Sequence, residues 1–98
     1  MNREEILSIL HAHREELRNF GLKRIGVFGS SARNEATEDS DIDLMAEFDA
    51  GQLSYRNYMR LYNFLMEITH RKIDLLTPGG VSPFIKPYID KEIVYEEL

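Results

Sequence analysis

Residues 41–48 read DIDLMAEF, and the alternation in that octapeptide restricts the fold more than any other stretch of the chain. Side chains on a strand point to opposite faces in turn, so Ile42, Leu44 and Ala46 share one face and Asp41, Asp43 and Met45 the other. Such a strand belongs in a sheet with an apolar face against a core. The chain that carries it has 98 residues, 43% hydrophobic and 30% charged. That length supports one modest core without a separate substrate-binding domain, so residues 1–98 are expected to form a single domain.

The remaining elements follow from periodicity and punctuation. Ile6, Leu10, His13 and Leu17 recur at helical spacing, with Ile9 and Phe20 widening the stripe, and predict an amphipathic helix over 3–19. Gly21 would cap it in the left-handed conformation. KRIGVFG, residues 23–29, predicts a strand with Ile25 and Val27 on one face, and a short helix from Ser30. DAGQLS reads as a turn with Ser54 as N-cap. A helix of about four turns should follow, with Tyr58, Leu61, Leu65 and Ile68 in one stripe. RKIDLL is a third strand, stopped by TPGG. In the tail Ser82-Pro83 opens a helical segment. Pro87 biases Lys86 away from helix, so one or two irregular turns are expected there. Strands alternating with helices predict an α/β (α+β) fold, a small mixed β-sheet flanked by helices.

Bulk properties exclude several roles. A net charge of −5 argues against a protein that grips phosphate backbones, so no direct nucleic-acid binding is expected. The basic spots Lys23-Arg24 and HRK at 70–72 read as strand-end solvation. Without cysteine there is no disulfide framework and no thiolate metal site. No apolar run is long enough to cross a bilayer, and MNREEILSIL lacks the shape of a signal peptide, so a cytoplasmic location without membrane contact is expected.

The chemistry concentrates around the paired aspartates. Asp41 and Asp43 leave the strand on one face, roughly 6–7 Å apart at the Cα level. Carboxylates that close raise each other's pKa unless a cation neutralises them. Hard oxygen ligands suit magnesium or manganese. Asp-x-Asp alone better fits a sheet-end pair facing water. Three neighbours tip the balance. Gly29-Ser30 follows a strand and opens a helix, where backbone amides hold phosphate and glycine permits close approach. Asp74 interrupts the apolar run Ile73, Leu75, Leu76, a costly place for a carboxylate unless a cation or donor meets it. Arg33, one turn into the helix, carries a guanidinium that could reach phosphate oxygens, although alone it reads nearly as well as a solvated surface arginine. Phosphates on one side and three carboxylates on the other suggest the two-metal layout for in-line displacement at phosphorus.

GSSARNEATEDSDIDLMAEF together with RKIDLL resembles the signature of the DNA polymerase beta-like nucleotidyltransferase superfamily. The short chain resembles the minimal nucleotidyltransferase (MNT) branch, and the similarity runs from about residue 4 to the C-terminus. One departure is Asn34, where relatives often carry glycine; asparagine tolerates the same left-handed turn. The resemblance implies the polymerase beta-like fold, with Gly29, Ser30 and Arg33 on the triphosphate of ATP. It implies Asp41 and Asp43 on two magnesium ions. Asp74 would complete the metal site and help deprotonate the attacking hydroxyl. It further implies an antitoxin of a HEPN/MNT toxin–antitoxin pair, transferring AMP to a tyrosine of a cognate HEPN RNase toxin.

Other readings stay open at this stage. The chain could neutralise a toxin by masking its surface, or transfer nucleotide to a small-molecule or RNA hydroxyl. Met59, Tyr62 and Met66 add a second apolar stripe to the helix at 55–69, which suits either a partner surface or a broad core face. Tyr88 and Tyr95 are similarly ambiguous. His11 and His13 diverge on their helix, and His70 suits a helix end, so none is a catalytic candidate.

Overall fold

The computed structural model describes residues 1–98. Its centre is a four-stranded sheet in the order β3-β2-β1-β4. β1 (Leu22–Phe28) runs antiparallel to both β2 (Ile42–Phe48) and β4 (Val94–Glu97), while β2 and β3 (Ile73–Leu76) are parallel. The expected small mixed sheet flanked by helices is therefore present.

Three helices lie on the apolar face: α1 (Arg3–Ala12), α2 (Arg14–Asn19) and α4 (Tyr55–Thr69). Their Ile6, Leu10, Leu17, Leu61 and Leu65 meet Ile25, Val27, Ile42, Leu44 and Ala46 of the sheet in one cluster. α1 starts from a full capping box: Asn2 accepts from the Glu5 amide, and the Glu5 carboxylate accepts from the Asn2 amide. α4 is capped as expected, Ser54 Oγ accepting from the Asn57 amide at 3.1 Å. Tyr62 and Met66 from its second stripe pack against the core, so much of that stripe is spent inside the molecule.

The single helix expected over 3–19 is two helices. His13 leaves helical geometry at φ −107° and ψ 21°, and its Nδ1 lies 2.9 Å from the Ile9 carbonyl. The hydrophobic stripe runs through this break, because Leu17 is still fully buried. Gly21 takes the left-handed conformation, φ 85°, as expected.

The C-terminal segment is more ordered than its composition suggests. After a single 3-10 turn at Pro78–Gly80, α5 (Lys86–Glu92) is a regular helix that begins at Lys86 and not at Ser82-Pro83. Pro87 sits in its first turn, where a missing amide costs nothing. The chain then forms β4, an element absent from the sequence reading. β4 lies against β1 with Tyr95 opposite Gly26. A Cβ at Gly26 would come within 2.6 Å of Ile93 and 2.9 Å of Tyr95, so glycine makes room for the tail. Ile89 joins Phe28 and Met45 in a small second cluster, packed by Leu76, Val81 and Ile93. α5 thus covers part of the second sheet face. No helix of the chain is long and apolar enough to cross a membrane.

Candidate active site

The uncovered part of that second face carries the acids. β1 ends at Phe28, which pairs with Asp43 across the antiparallel ladder. On the other side of β2, the parallel register sets Asp43 opposite Asp74. Two strand pairings therefore place the Gly29 turn on one flank of Asp43 and the Asp74 carboxyl on the other. Gly29 adopts φ 70°, a conformation that disfavours any side chain, and a Cβ there would run into the Asp43 carboxylate. Ser30 and Arg33 follow on and just after α3 (Gly29–Ala32). Asn34 is left-handed at φ 57°, the conformation a glycine would otherwise supply.

Asp43 is half-buried, and its pKa is pushed up to about 6. Burial is the main cause, followed by the charge of Asp74, a hydrogen bond shared with Asp74, and the charges of Asp41 and Glu92. Asp74 is exposed, so its expected burial within an apolar strand is corrected. Ile73 and Leu75 point to the core, while Asp74 occupies the opposite face by the strand's own alternation. Beneath it Tyr58 donates to the Leu75 carbonyl at 2.5 Å, and burial, then Asp74, raises the tyrosine's pKa.

Asp41 is exposed and immediately precedes β2. Its loop is held by Arg71, one of whose terminal nitrogens donates to the carbonyls of Thr37, Glu38 and Ser40 at 3.2, 3.0 and 3.1 Å. Arg71 was expected only to solvate a strand end; it instead fixes the approach to Asp41.

Glu92, from the last turn of α5, was not singled out by sequence. Its carboxylate accepts from the Gly29 amide at 2.8 Å and from Arg33 at 2.6 Å. Arg33 also donates through Nε to Glu35 at 2.9 Å. No spacing rule would have linked residue 92 to residue 29, because the connection exists only once α5 folds back over the sheet.

No three acidic or histidine side chains gather closely enough to form a ready-made cage for a metal ion. The donor set nevertheless fits magnesium. That ion is commonly held by one or two carboxylates with substrate phosphates completing its shell. Asp43 and Asp74 face each other across the parallel register and Asp43 holds its proton more tightly for it, a repulsion that a divalent cation would relieve.

Comparison with known proteins gives the family. Residues 10–96 match the family model of the nucleotidyltransferase domain. The chain is 40% identical over 93 residues to the protein adenylyltransferase MntA of Thermococcus cleftensis, covering 94% of this chain and 93% of that protein. A solved structure described as a "putative minimal nucleotidyltransferase" superposes with a TM-score of 0.82 at 30% identity, covering 96% and 95% of the two chains. A complex of a tri-AMPylated Shewanella oneidensis HEPN toxin with its MNT antitoxin shares the fold at a TM-score of 0.64 and 18% identity, over 91% of this chain and 70% of that one. The glycine turn and paired acids thus sit in a minimal member of the nucleotidyltransferase family, close to the MntA-type protein adenylyltransferases, and to that family this chain belongs.

Proposed function

We propose that the chain transfers AMP from magnesium-ATP to a tyrosine hydroxyl of a cognate HEPN RNase toxin and so neutralises it. The observation that carries this reading is the seating of Asp43 between the Gly29 turn and Asp74. A phosphate-binding loop, metal-binding acids and a base for the acceptor are all needed within one substrate's reach, and a register that sets Asp43 beside both the Gly29 turn and Asp74 supports that reading. The MntA relative and the AMPylated HEPN toxin of the antitoxin complex support the choice of a protein acceptor.

In this mechanism Gly29, Ser30 and Arg33 receive the triphosphate, and Asp41 and Asp43 would hold two magnesium ions with Asp74 alongside. Magnesium, when bound, screens the negative charge of the phosphates as they meet the carboxylates. Asp74 accepts the proton of the attacking hydroxyl. The hydroxyl oxygen bonds to the α-phosphorus as the bridge to the β-phosphate breaks, and pyrophosphate leaves. The chain's main contribution is alignment and charge compensation. The added phosphate would oppose RNA at the toxin by charge and volume.

Intact-mass spectrometry tests this directly. A cognate HEPN protein incubated with the chain, ATP and magnesium should gain one or more AMP units, and peptide mapping should place them on tyrosine. A stable complex with inhibited RNase and no mass gain would replace catalysis by masking. Modification of a residue other than tyrosine would overturn the acceptor assignment alone.

A further inference from the structure

Arg33 is a long side chain at the end of a four-residue helix, and that side chain is about half exposed. Left to itself it would sample many rotamers, and any anion it binds would have to offset that lost freedom. Two carboxylates hold it instead: Glu35 on Nε and Glu92 on Nη1. A guanidinium has five N–H donors in a fixed plane, so three remain for a ligand once these two are engaged.

The two carboxylates differ in kind. Glu35 is exposed and two residues from Arg33, an ordinary surface partner. Glu92 comes from 59 residues away, its side chain is only 23% exposed, and its other oxygen accepts from the Gly29 amide. Its helix is anchored by Ile89 against Phe28 and Met45, and the chain continues directly into β4 on the sheet. Glu92 is therefore part of the frame, and Arg33 is the side chain held against it.

We propose that Glu92 is a positioning residue of the nucleotide site. It fixes the Gly29 turn and the plane of Arg33 to the C-terminal α5–β4 unit, so that the three remaining donors are already oriented for triphosphate oxygens. This rests on the nucleotide site described above. The opposite possibility has the opposite sign. A carboxylate seated on a loop amide and an arginine also resembles a resident anion, which the triphosphate would have to displace. Positioning makes Glu92 helpful to binding; displacement makes it a competitor.

Calorimetric titration of the full chain with magnesium and a non-hydrolysable ATP analogue distinguishes them without any acceptor. Glu92→Ala should weaken binding about tenfold, within the coupling seen between directly bonded side chains. Glu92→Gln, which keeps an oxygen for one donor, should recover part of the loss and guards against a folding defect in the alanine variant. Arg33→Ala combined with Glu92→Ala should bind no more weakly than Arg33→Ala with the Gly29 contact removed accounts for, well short of the product of the two single losses. Unchanged or tighter binding by both Glu92 variants, or fully multiplicative losses, would overturn the positioning role. Failure of the wild-type chain to bind the analogue would overturn the nucleotide site itself and this role with it. Wild-type binding that ignores Glu92 would leave the site standing and remove only the positioning role.

Discussion

The two faces of the sheet are built from the same strands and meet opposite fates. On the face toward α1, α2 and α4, alternate residues of β1, β2 and β3 disappear into one continuous apolar cluster. On the other, α5 closes only part of the surface over Phe28 and Met45, and Asp43 and Asp74 occupy the remainder. Ile42 and Asp43 are neighbours in sequence, yet one is wholly buried to stabilise the fold and the other half-buried at a cost to it. Stability and chemistry are thus divided by the pleat of the strand, one residue apart.

That division can be broken from either side. The largest effect is expected from Asp41→Asn with Asp43→Asn, which should reduce AMP transfer by more than about a hundredfold without lowering the unfolding midpoint. Residual transfer near the wild-type rate would remove these acids from the site. Leu44→Ala, on the opposite face beside Asp43, should cost about 3 kcal/mol in urea unfolding. A cost near zero would mean that the apolar face does not carry the fold. Ser30→Ala should raise the KM for ATP by about tenfold, less than the loss from either aspartate, since one hydrogen bond to a charged phosphate is removed.

A pH series sharpens the contrast further. The pKa of Asp43 is raised on folding, so the native state holds its proton more tightly than the unfolded chain. Without divalent cations, the contribution of Asp43 to stability is complete below the ordinary aspartate range and falls away as pH rises through about 6. Thermal unfolding in chelator should therefore show Asp43→Asn gaining on the wild type between pH 4 and 7, a window set by the ordinary aspartate range and the raised pKa. Magnesium should stabilise the wild type more than this variant at pH 7. Parallel pH profiles for the two proteins would show that the Asp43 carboxyl is not perturbed.

Much of this was legible in the sequence, for reasons that also mark its boundary. β2 declares itself because period-2 alternation is local, and α4 because its stripe and its Ser54 cap are local. The Gly29 turn and the aspartates share a strand pair, so a motif within one stretch of chain captured them together. What escaped depends on distant contacts. The break at His13 leaves the apolar stripe intact, so periodicity does not register it. β4 is set by the vacancy over Gly26, nearly seventy residues upstream of Tyr95, and Pro87 drew attention to irregularity instead. Glu92 acquires a role only from that same fold-back. Asp74 stands out in the sequence as a candidate, but its exposure follows from which face β3 turns outward, and the apolar residues around it suggest the reverse.

The position of β3 at one end of the sheet has a separate consequence. An outer strand offers unpaired amides and carbonyls to any other strand that drifts past, and such edges invite aggregation unless a charge or a short length blunts them. β3 spans only Ile73–Leu76, and Asp74 is the sole charge on it. At the opposite edge, β4 ends its short run with Glu96 and Glu97. The acid proposed for the site would therefore double as a guard against strand-to-strand stacking. Neutralising it removes both at once, so lost transfer in an Asp74→Asn preparation becomes informative when light scattering shows the protein still monodisperse.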